Sequence, residues 1–174
     1  MQPTETALIV PIPEAEKVVG PFRAVLDRSA SWGVPAHVTV LYPFLPPNRI
    51  NSELLAALSD VISVIPRFDV ALTHVDWFDD AAVWLAPRPD RPFRDVTAAV
   101  WRLFPEAPPY GGAHAEIVPH LTIGHGADKS GLSQAAHVVS THLPITATID
   151  VVRLIAGTPE QYPWTTLREF TLGP

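Results

Sequence analysis

Two short segments with the same residue pattern, 83 residues apart, constrain the fold of this chain most strongly. Residues 37–40 read HVTV, and residues 120–123 read HLTI. Such alternation is typical of a β-strand, in which residues i and i+2 point to the same side. The pattern therefore predicts that His37 shares a face with Thr39, and that His120 shares a face with Thr122. The intervening apolar side chains are expected to face a core.

Two histidines and two threonines in this arrangement suit acid–base chemistry on a small anion. One imidazole can accept a proton while the other donates one. Threonine hydroxyls can donate hydrogen bonds to anionic oxygens. A single copy of the pattern is more typical of a core histidine with a hydrogen-bonded neighbour, so the interpretation depends on the repetition.

The segments around the two copies repeat as well. In each half, hydrophobic periodicity predicts a helix before the motif strand, a helix after it and two further strands. The predicted helices cover residues 14–30, 52–65, 92–104 and 132–141, and the other predicted strands cover 6–12, 67–78, 82–86, 145–156 and 165–172. This repeat indicates one domain, 1–174, with two pseudo-twofold-related lobes of about 1–90 and 91–174 facing a central cleft.

Composition excludes several classes of function. The chain has 12 Lys and Arg against 18 Asp and Glu and no cysteine. Extended nucleic-acid surfaces need clustered cations, so none is expected here. Disulfides and thiolate chemistry are excluded. The first residues lack a basic leader, and no apolar run is long enough to span a membrane, so we expect a cytoplasmic protein. We also expect a monomer.

The paired motifs resemble the H-x-T-x signatures of the two-histidine (2H) phosphoesterase superfamily. Within it, the chain resembles the bacterial branch of 2′–5′ RNA ligases and RNA 2′,3′-cyclic phosphodiesterases, and the order of elements fits over nearly the whole chain. The resemblance implies a bilobal α+β fold with antiparallel sheets and outer helices. It also implies metal-independent opening of a 2′,3′-cyclic phosphodiester on a nucleotide or RNA end, without a cofactor. Carried over to this chain, it makes His37 and His120 catalytic and Thr39 and Thr122 phosphate-binding.

One position departs from the resemblance. Many relatives carry Arg or Lys directly after the second motif, where this chain has Gly124-His125-Gly126. A protonated His125 could partly replace that cation and bind substrate. On a regular strand, however, His125 would point with Ile123, away from the motif histidine.

Three further residues are candidate substrate contacts, each with a structural alternative. Tyr42 follows the first motif and can stack on a base or fill the core at the strand end. Tyr110 lies in the glycine-containing loop before the second motif, which is either a mobile lid or an ordinary surface loop. Arg153 can clamp a phosphate or form a surface salt bridge.

Two rival functions fit the same residues. The first is a non-catalytic nucleotide or RNA-end binding module, favoured by the missing basic residue and the negative net charge. The second is a metal-dependent hydrolase that uses His114, Glu116, His120 and His125, although their spacing matches no standard zinc pattern. Turnover would exclude the first, and chelator sensitivity would reveal the second. RNA 2′–5′ ligation is the same chemistry with an RNA hydroxyl in place of water.

Overall fold

A computed structural model of the protein describes residues 2–126 and 128–174. In the described residues, one eight-stranded antiparallel sheet carries the four longer helices on one of its faces. The strands are β1 (Glu5–Pro11), β2 (His37–Leu41), β3 (Phe68–Phe78), β4 (Ala82–Arg88), β5 (Leu121–His125), β6 (Ile145–Ile149), β7 (Val151–Thr158) and β8 (Gln161–Thr171). The helices are α1 (Pro13–Leu26), α2 (Arg28–Ser31), α3 (Ser52–Ser63), α4 (Arg91–Leu103) and α5 (Lys129–Ser140), with 3₁₀ turns at Pro47–Arg49 and Pro109–Gly112.

The strand order is symmetric about the centre of the sheet. It runs β6-β3-β4-β5-β2-β1-β7-β8, so the two motif strands, β5 and β2, are neighbours at the centre. The pairing interleaves the two halves of the sequence. Strand β4, with β3 beyond it, lies beside β5, whereas β7, with β8 beyond it, lies beside β1. The predicted α+β class, with antiparallel strands and outer helices, is confirmed. The strands form one continuous sheet instead of separate sheets in two lobes.

Helix α1 shows how local sequence sets the helix boundaries. It begins with Pro13, whose missing N–H costs nothing in the first turn, and it continues past Pro21. Helix α2 starts after Asp27, whose side chain accepts a hydrogen bond from the N–H of Ser29. The single helix predicted over 14–30 is therefore two helices, because Asp27 caps the second.

The prediction of a single strand over residues 145–156 is wrong. It consists of two strands, β6 and β7, which separate at Asp150 and pair with different partners. Strand β6 pairs with β3 at one edge of the sheet, whereas β7 lies between β1 and β8 in the other half. Both segments alternate in the same way, so their pattern does not reveal that the chain crosses between the two halves.

An irregularity in β2 changes which residues face the core after the first motif. Thr39 and Leu41 pair with adjacent residues of β1, so β2 contains one extra residue at this step. This is a β-bulge, and it leaves both Val40 and Leu41 in the core. Tyr42 consequently lies on the opposite face, together with the motif histidine.

A matching bulge follows the second motif in β5. Thr122 and Gly124 pair with adjacent residues of β4, and both Ile123 and Gly124 face the core. A Cβ added to Gly124 would lie 2.8 Å from the Cβ of Leu26 in α1, so glycine permits this close approach of helix and strand. His125 then emerges on the face of the second motif histidine.

A single large core joins the sheet to the helices and couples its two halves. Helix α1, which precedes the first motif, packs behind β5, and α4, which precedes the second motif, packs behind β2. Among the described residues, no helix has both the length and the apolar character needed to cross a lipid bilayer.

Candidate active site

The motif histidines and threonines lie together on the face of the sheet opposite the core. The apolar residue between histidine and threonine in β2 pairs with its counterpart in β5, in antiparallel register. Extending that register by one residue sets His37 across from Thr122, and Thr39 across from His120. The two apolar residues are fully buried, whereas the four polar side chains are partly exposed. The predicted sharing of faces is therefore confirmed.

Each motif histidine is oriented by a backbone carbonyl two residues before it. His37 Nδ1 lies 2.7 Å from the Pro35 oxygen, and His120 Nδ1 lies 2.7 Å from the Val118 oxygen. Because a carbonyl oxygen only accepts hydrogen bonds, Nδ1 of each neutral ring carries the proton. In both rings Nε2 is then the nitrogen that can take a proton from another molecule.

Burial keeps both imidazoles neutral. It lowers the pKa of His37 from 6.5 to about 4, although the bond to the Pro35 carbonyl raises it. The positive charge of Arg23 lowers the pKa of His37 further, whereas the Asp27 carboxylate raises it, and protonation of His120 would lower it again. Burial also lowers the pKa of His120, against the opposing effect of its carbonyl partner.

Two aromatic rings line the His120 side of the site. Phe78 lies edge-on to the imidazole of His120 at 4.9 Å between centroids, and Trp84 lies at 5.7 Å. The two rings stack on each other at 4.7 Å. The sequence pattern does not identify Phe78 or Trp84 as site residues, because their position depends on β4 pairing with β5. The alternation within the β3–β4 hairpin does not reveal that long-range contact.

The loop before the second motif reaches the first motif. The N–H of Tyr110 donates to the backbone carbonyl oxygen of Tyr42 at 2.7 Å, and the Tyr110 hydroxyl lies next to the Thr39 side chain. Tyr110 and Gly111 have φ values of 53° and 63°, so both residues adopt the left-handed backbone conformation, which glycine adopts most easily. Burial raises the pKa of Tyr110, although the neighbouring Thr39 hydroxyl lowers it. The structure therefore brings Tyr110 to a motif threonine, and movement of the loop stays a prediction.

Tyr42 is held within an aromatic cluster on the site face. Its hydroxyl donates to Glu5 at 2.6 Å, and its ring meets Trp164 edge-on at 6.3 Å. Burial and the Glu5 carboxylate raise the pKa of Tyr42 to about 12. Trp32 stacks on Trp164 at 6.4 Å. Tyr42 therefore packs at the strand end, as its structural alternative predicts. It also lies at the border of the site.

His125 lies on the face of His120, contrary to the sequence-based expectation. It pairs with Ala82, and Phe78 pairs with the same alanine, so the three side chains point to one side of the sheet. The bulge after Thr122 reverses the alternation that a regular strand would continue. His125 is exposed and lies two residues after the end of the second motif.

Arg153 lies on the site face, but its charge is engaged elsewhere. It pairs with Ile9, which in turn pairs with Thr39. Its guanidinium donates to Glu169 Oε1 from Nε at 3.0 Å and from Nη2 at 2.7 Å. Glu169 belongs to β8, which lies on the far side of β7 from the motif strands. Arg153 therefore forms the salt bridge that was its structural alternative.

The residues of the metal-dependent alternative do not gather in one place. Within residues 2–126 and 128–174, no three His, Cys, Asp or Glu side chains are close enough to hold a metal ion. His114 and Glu116 are exposed, and the His114 ring packs edge-on against Tyr110 at 5.5 Å.

Comparison with known protein families gives a match over most of the chain. A family model described as the 2′-5′ RNA ligase superfamily matches residues 11–158, a range that includes both motifs. The chain belongs to this superfamily. No curated protein matches the sequence.

Several solved structures have the same fold. They match this 2′-5′ RNA ligase superfamily member over nearly its full length. E. coli LigT complexed with 3′-AMP has a TM-score of 0.64 at 16% identity, with 98% of this chain and 99% of that chain covered. E. coli LigT complexed with NADP+ has a TM-score of 0.61 at 19% identity, with both chains fully covered. The Thermus thermophilus protein TT0787 has a TM-score of 0.60 at 17% identity, with 96% of this chain and 97% of that chain covered. At these identities the similarity shows the fold alone.

Proposed function

We propose that this superfamily member hydrolyses a 2′,3′-cyclic phosphodiester on a nucleotide or RNA end, without a metal or other cofactor. The observation that carries the proposal is the paired arrangement of His37 and His120. Each imidazole is fixed through Nδ1 to a carbonyl, leaves Nε2 for proton exchange and lies across from a threonine of the other motif.

The reaction needs one proton acceptor and one proton donor. Water attacks phosphorus in line with a ribose oxygen and gives its proton to Nε2 of one histidine. The other histidine, protonated at Nε2, transfers that proton to the departing ribose oxygen as the P–O bond breaks. Thr39 and Thr122 donate hydrogen bonds to the phosphoryl oxygens, where negative charge develops in the transition state. The product is an acyclic phosphomonoester, and family resemblance favours the 2′ isomer.

The surroundings of the two histidines suggest how they divide the work. Burial lowers the pKa of His37 to about 4, and the charges of Arg23 and Asp27 act on it in opposite directions. We therefore assign His37 as the base and His120 as the acid. A bound phosphate anion favours the protonated form of a neighbouring imidazole, which supplies the acid.

Three residues are proposed to bind the substrate around the phosphate. Tyr110 lies next to Thr39. His125 stands where relatives carry a cation, and an imidazole donates one hydrogen bond when neutral and two when protonated. Tyr42 borders the site as part of an apolar surface against which a base or ribose can pack. Arg153 is a weaker candidate, because Glu169 already binds its guanidinium.

A nucleotide ligand is supported by the related structures. E. coli LigT has been solved in complexes with 3′-AMP, ATP and NADP+. The negative net charge of −6 makes binding of a nucleotide or a single RNA end more favourable than binding of a long duplex. We expect the protein to act as a monomer in the cytoplasm.

The alternative is a nucleotide or RNA-end binding module without turnover. The observation that favours it is His125, since a weaker phosphate contact lowers catalytic proficiency before it abolishes binding. Such a module would bind a nucleoside 2′-phosphate and leave 2′,3′-cyclic phosphates intact.

The experiment is hydrolysis of the four nucleoside 2′,3′-cyclic monophosphates and of a short RNA ending in a cyclic phosphate, in excess EDTA. ³¹P NMR identifies the product isomer, and His137→Ala on the exposed face of α5 serves as the histidine control. We expect EDTA-resistant turnover to a single phosphomonoester isomer. Activity abolished by EDTA would support the metal-dependent alternative, and binding without turnover would support the module.

A further inference from the structure

An arginine supports the backbone beneath each motif histidine. In the first half, Arg23 of α1 donates from Nη2 to the Val34 oxygen at 3.1 Å. The next carbonyl along the chain, that of Pro35, accepts the hydrogen bond of the imidazole. Arg23 is in turn held by Asp27, with Nη2 2.9 Å from Oδ2.

The second half contains the same arrangement. Arg94 of α4 donates from Nη1 to the Ile117 oxygen, and the next carbonyl, that of Val118, accepts from His120. Arg94 is held by Asp90, with Nε and Nη2 both 3.1 Å from Oδ2. Thus in both halves the carbonyl three residues before the histidine binds an arginine, and the carbonyl two residues before it binds the ring.

The repeated contacts have a defined physical consequence. The direction of a carbonyl is set by the rotation of its peptide plane, and two consecutive planes share one Cα. A guanidinium that holds the first carbonyl therefore restricts the second, whose direction determines the tautomer and the aim of the imidazole. A charged donor is suited to this role, because its hydrogen bonds are about twice as strong as neutral ones.

We propose that Arg23 and Arg94 are positioning residues, each of which fixes the Nδ1–H tautomer and the orientation of its motif histidine through the adjacent carbonyl. The consequence for turnover rests on the proposed function, whereas the consequence for the tautomer does not. Neither arginine belongs to a motif. The fold brings two unrelated helix positions to equivalent carbonyls.

The test uses Arg94, which is 43% exposed and can be replaced with little risk to folding. The variant Arg94→Met removes the guanidinium and keeps an unbranched side chain, and Arg94→Lys restores a cation without the planar donor. Arg91→Met is the matched control, because Arg91 lies on the same helix, is 86% exposed and pairs only with Asp95 among the residues that the structure describes. Imidazole ¹⁵N shifts report the tautomers of His37 and His120 separately, and steady-state kinetics on a nucleoside 2′,3′-cyclic phosphate report turnover.

In Arg94→Met we expect His120 to become a mixture of tautomers while His37 stays unchanged. We expect kcat to fall roughly 10- to 100-fold with KM within about twofold, because a misaimed catalytic group affects the reacting geometry. Arg94→Lys should recover only part of the loss, and Arg91→Met should match the wild type. An unchanged His120 tautomer, or equal changes at both histidines, would overturn the proposal. If the wild type lacks turnover, the proposed function fails, and the NMR readout still decides the positioning role.

Discussion

The two halves of the candidate site hold their histidines by the same bonds in different surroundings. Beneath His37, the Arg23 side chain is 3% exposed and its partner Asp27 is 10% exposed. Beneath His120, the corresponding Arg94 is 43% exposed. The geometry is thus repeated, whereas the burial of the supporting charge is not.

Other neighbours of the histidines differ as well. The segment before His37 is additionally held by Glu16, which accepts the N–H of Ala36. His120 instead packs against the rings of Phe78 and Trp84. One half therefore surrounds its imidazole with buried charge, and the other surrounds it with aromatic rings. This difference shows that similar motif strands can orient two imidazoles alike and still place them in different electrostatic surroundings.

The largest expected effect is on turnover, and it should be shared by both halves. His37→Ala and His120→Ala should each lower kcat on a nucleoside 2′,3′-cyclic phosphate by about 10²–10⁴, because each removes one partner of the proton transfer. Initial rates in excess EDTA measure the loss, and His137→Ala controls for removal of an exposed histidine. Full activity in either folded variant would remove that histidine from the chemistry.

The next largest effect is on stability, and its size should differ between the two halves. Arg23→Met leaves the Asp27 carboxylate buried without its partner and should cost about 3–5 kcal/mol of unfolding free energy. Arg94→Met breaks an exposed pair and should cost about 1 kcal/mol or less. Urea unfolding at pH 7, followed by tryptophan fluorescence, measures both. Equal losses would mean that the difference in burial has no energetic consequence.

A third effect concerns the pH dependence of stability. Burial lowers the pKa of folded His37 to about 4, below the 6.5 of an unperturbed histidine. The unfolded chain therefore binds the proton first, and stability is full above pH 6.5 and is lost as the pH falls towards 4. Between pH 7.5 and 4.5, the wild type should lose roughly 2–3 kcal/mol more than His37→Gln.

The comparison variant for this measurement is His137→Gln, which replaces an exposed histidine on α5 and leaves the carboxylates unchanged. It should lose as much stability as the wild type over the same pH range. If His37→Gln also follows the wild type, burial does not keep His37 neutral, and the assignment of His37 as the base loses its support.

The smallest expected effect concerns the residue that follows each bulge. This residue is Tyr42 in the first half and His125 in the second. His125→Arg adds a permanent planar donor on the site face and should raise kcat/KM for a cyclic nucleotide by about tenfold, mainly through a lower KM. His137→Arg adds the same charge on α5 and serves as the control. An equal gain in both variants would indicate general attraction of an anion rather than a contact at the site.

The fold and the four motif residues follow from the sequence because they depend on local periodicity. Alternation places His37 beside Thr39 and identifies the helices that form the core. The half-length repeat correctly indicates that the two motifs meet, since β2 and β5 are neighbours. Resemblance to the two-histidine superfamily adds the chemistry, and the match over residues 11–158 supports the family.

The remaining features of the fold and the site depend on local irregularities and long-range contacts, which a periodic sequence pattern does not reveal. The bulge after Thr122 is a local change in pairing, and it brings His125 to the face from which regular alternation excludes it. The change of partner at Asp150 separates two strands that the pattern predicts as one. The contacts of Arg23 and Arg94 join helices to carbonyls further along the chain, so only the assembled fold reveals them.

The most direct test of the central claim is the pH dependence of kcat/KM, measured in EDTA for the wild type, His37→Ala and His120→Ala. The two-histidine scheme predicts a bell with its maximum below pH 6.5, because burial lowers the pKa of both imidazoles in the free protein. The residual activity of His37→Ala should lack the acidic limb, since its base no longer titrates, and that of His120→Ala should lack the alkaline limb. A single-limbed wild-type profile, or variants that keep both limbs, would contradict the account.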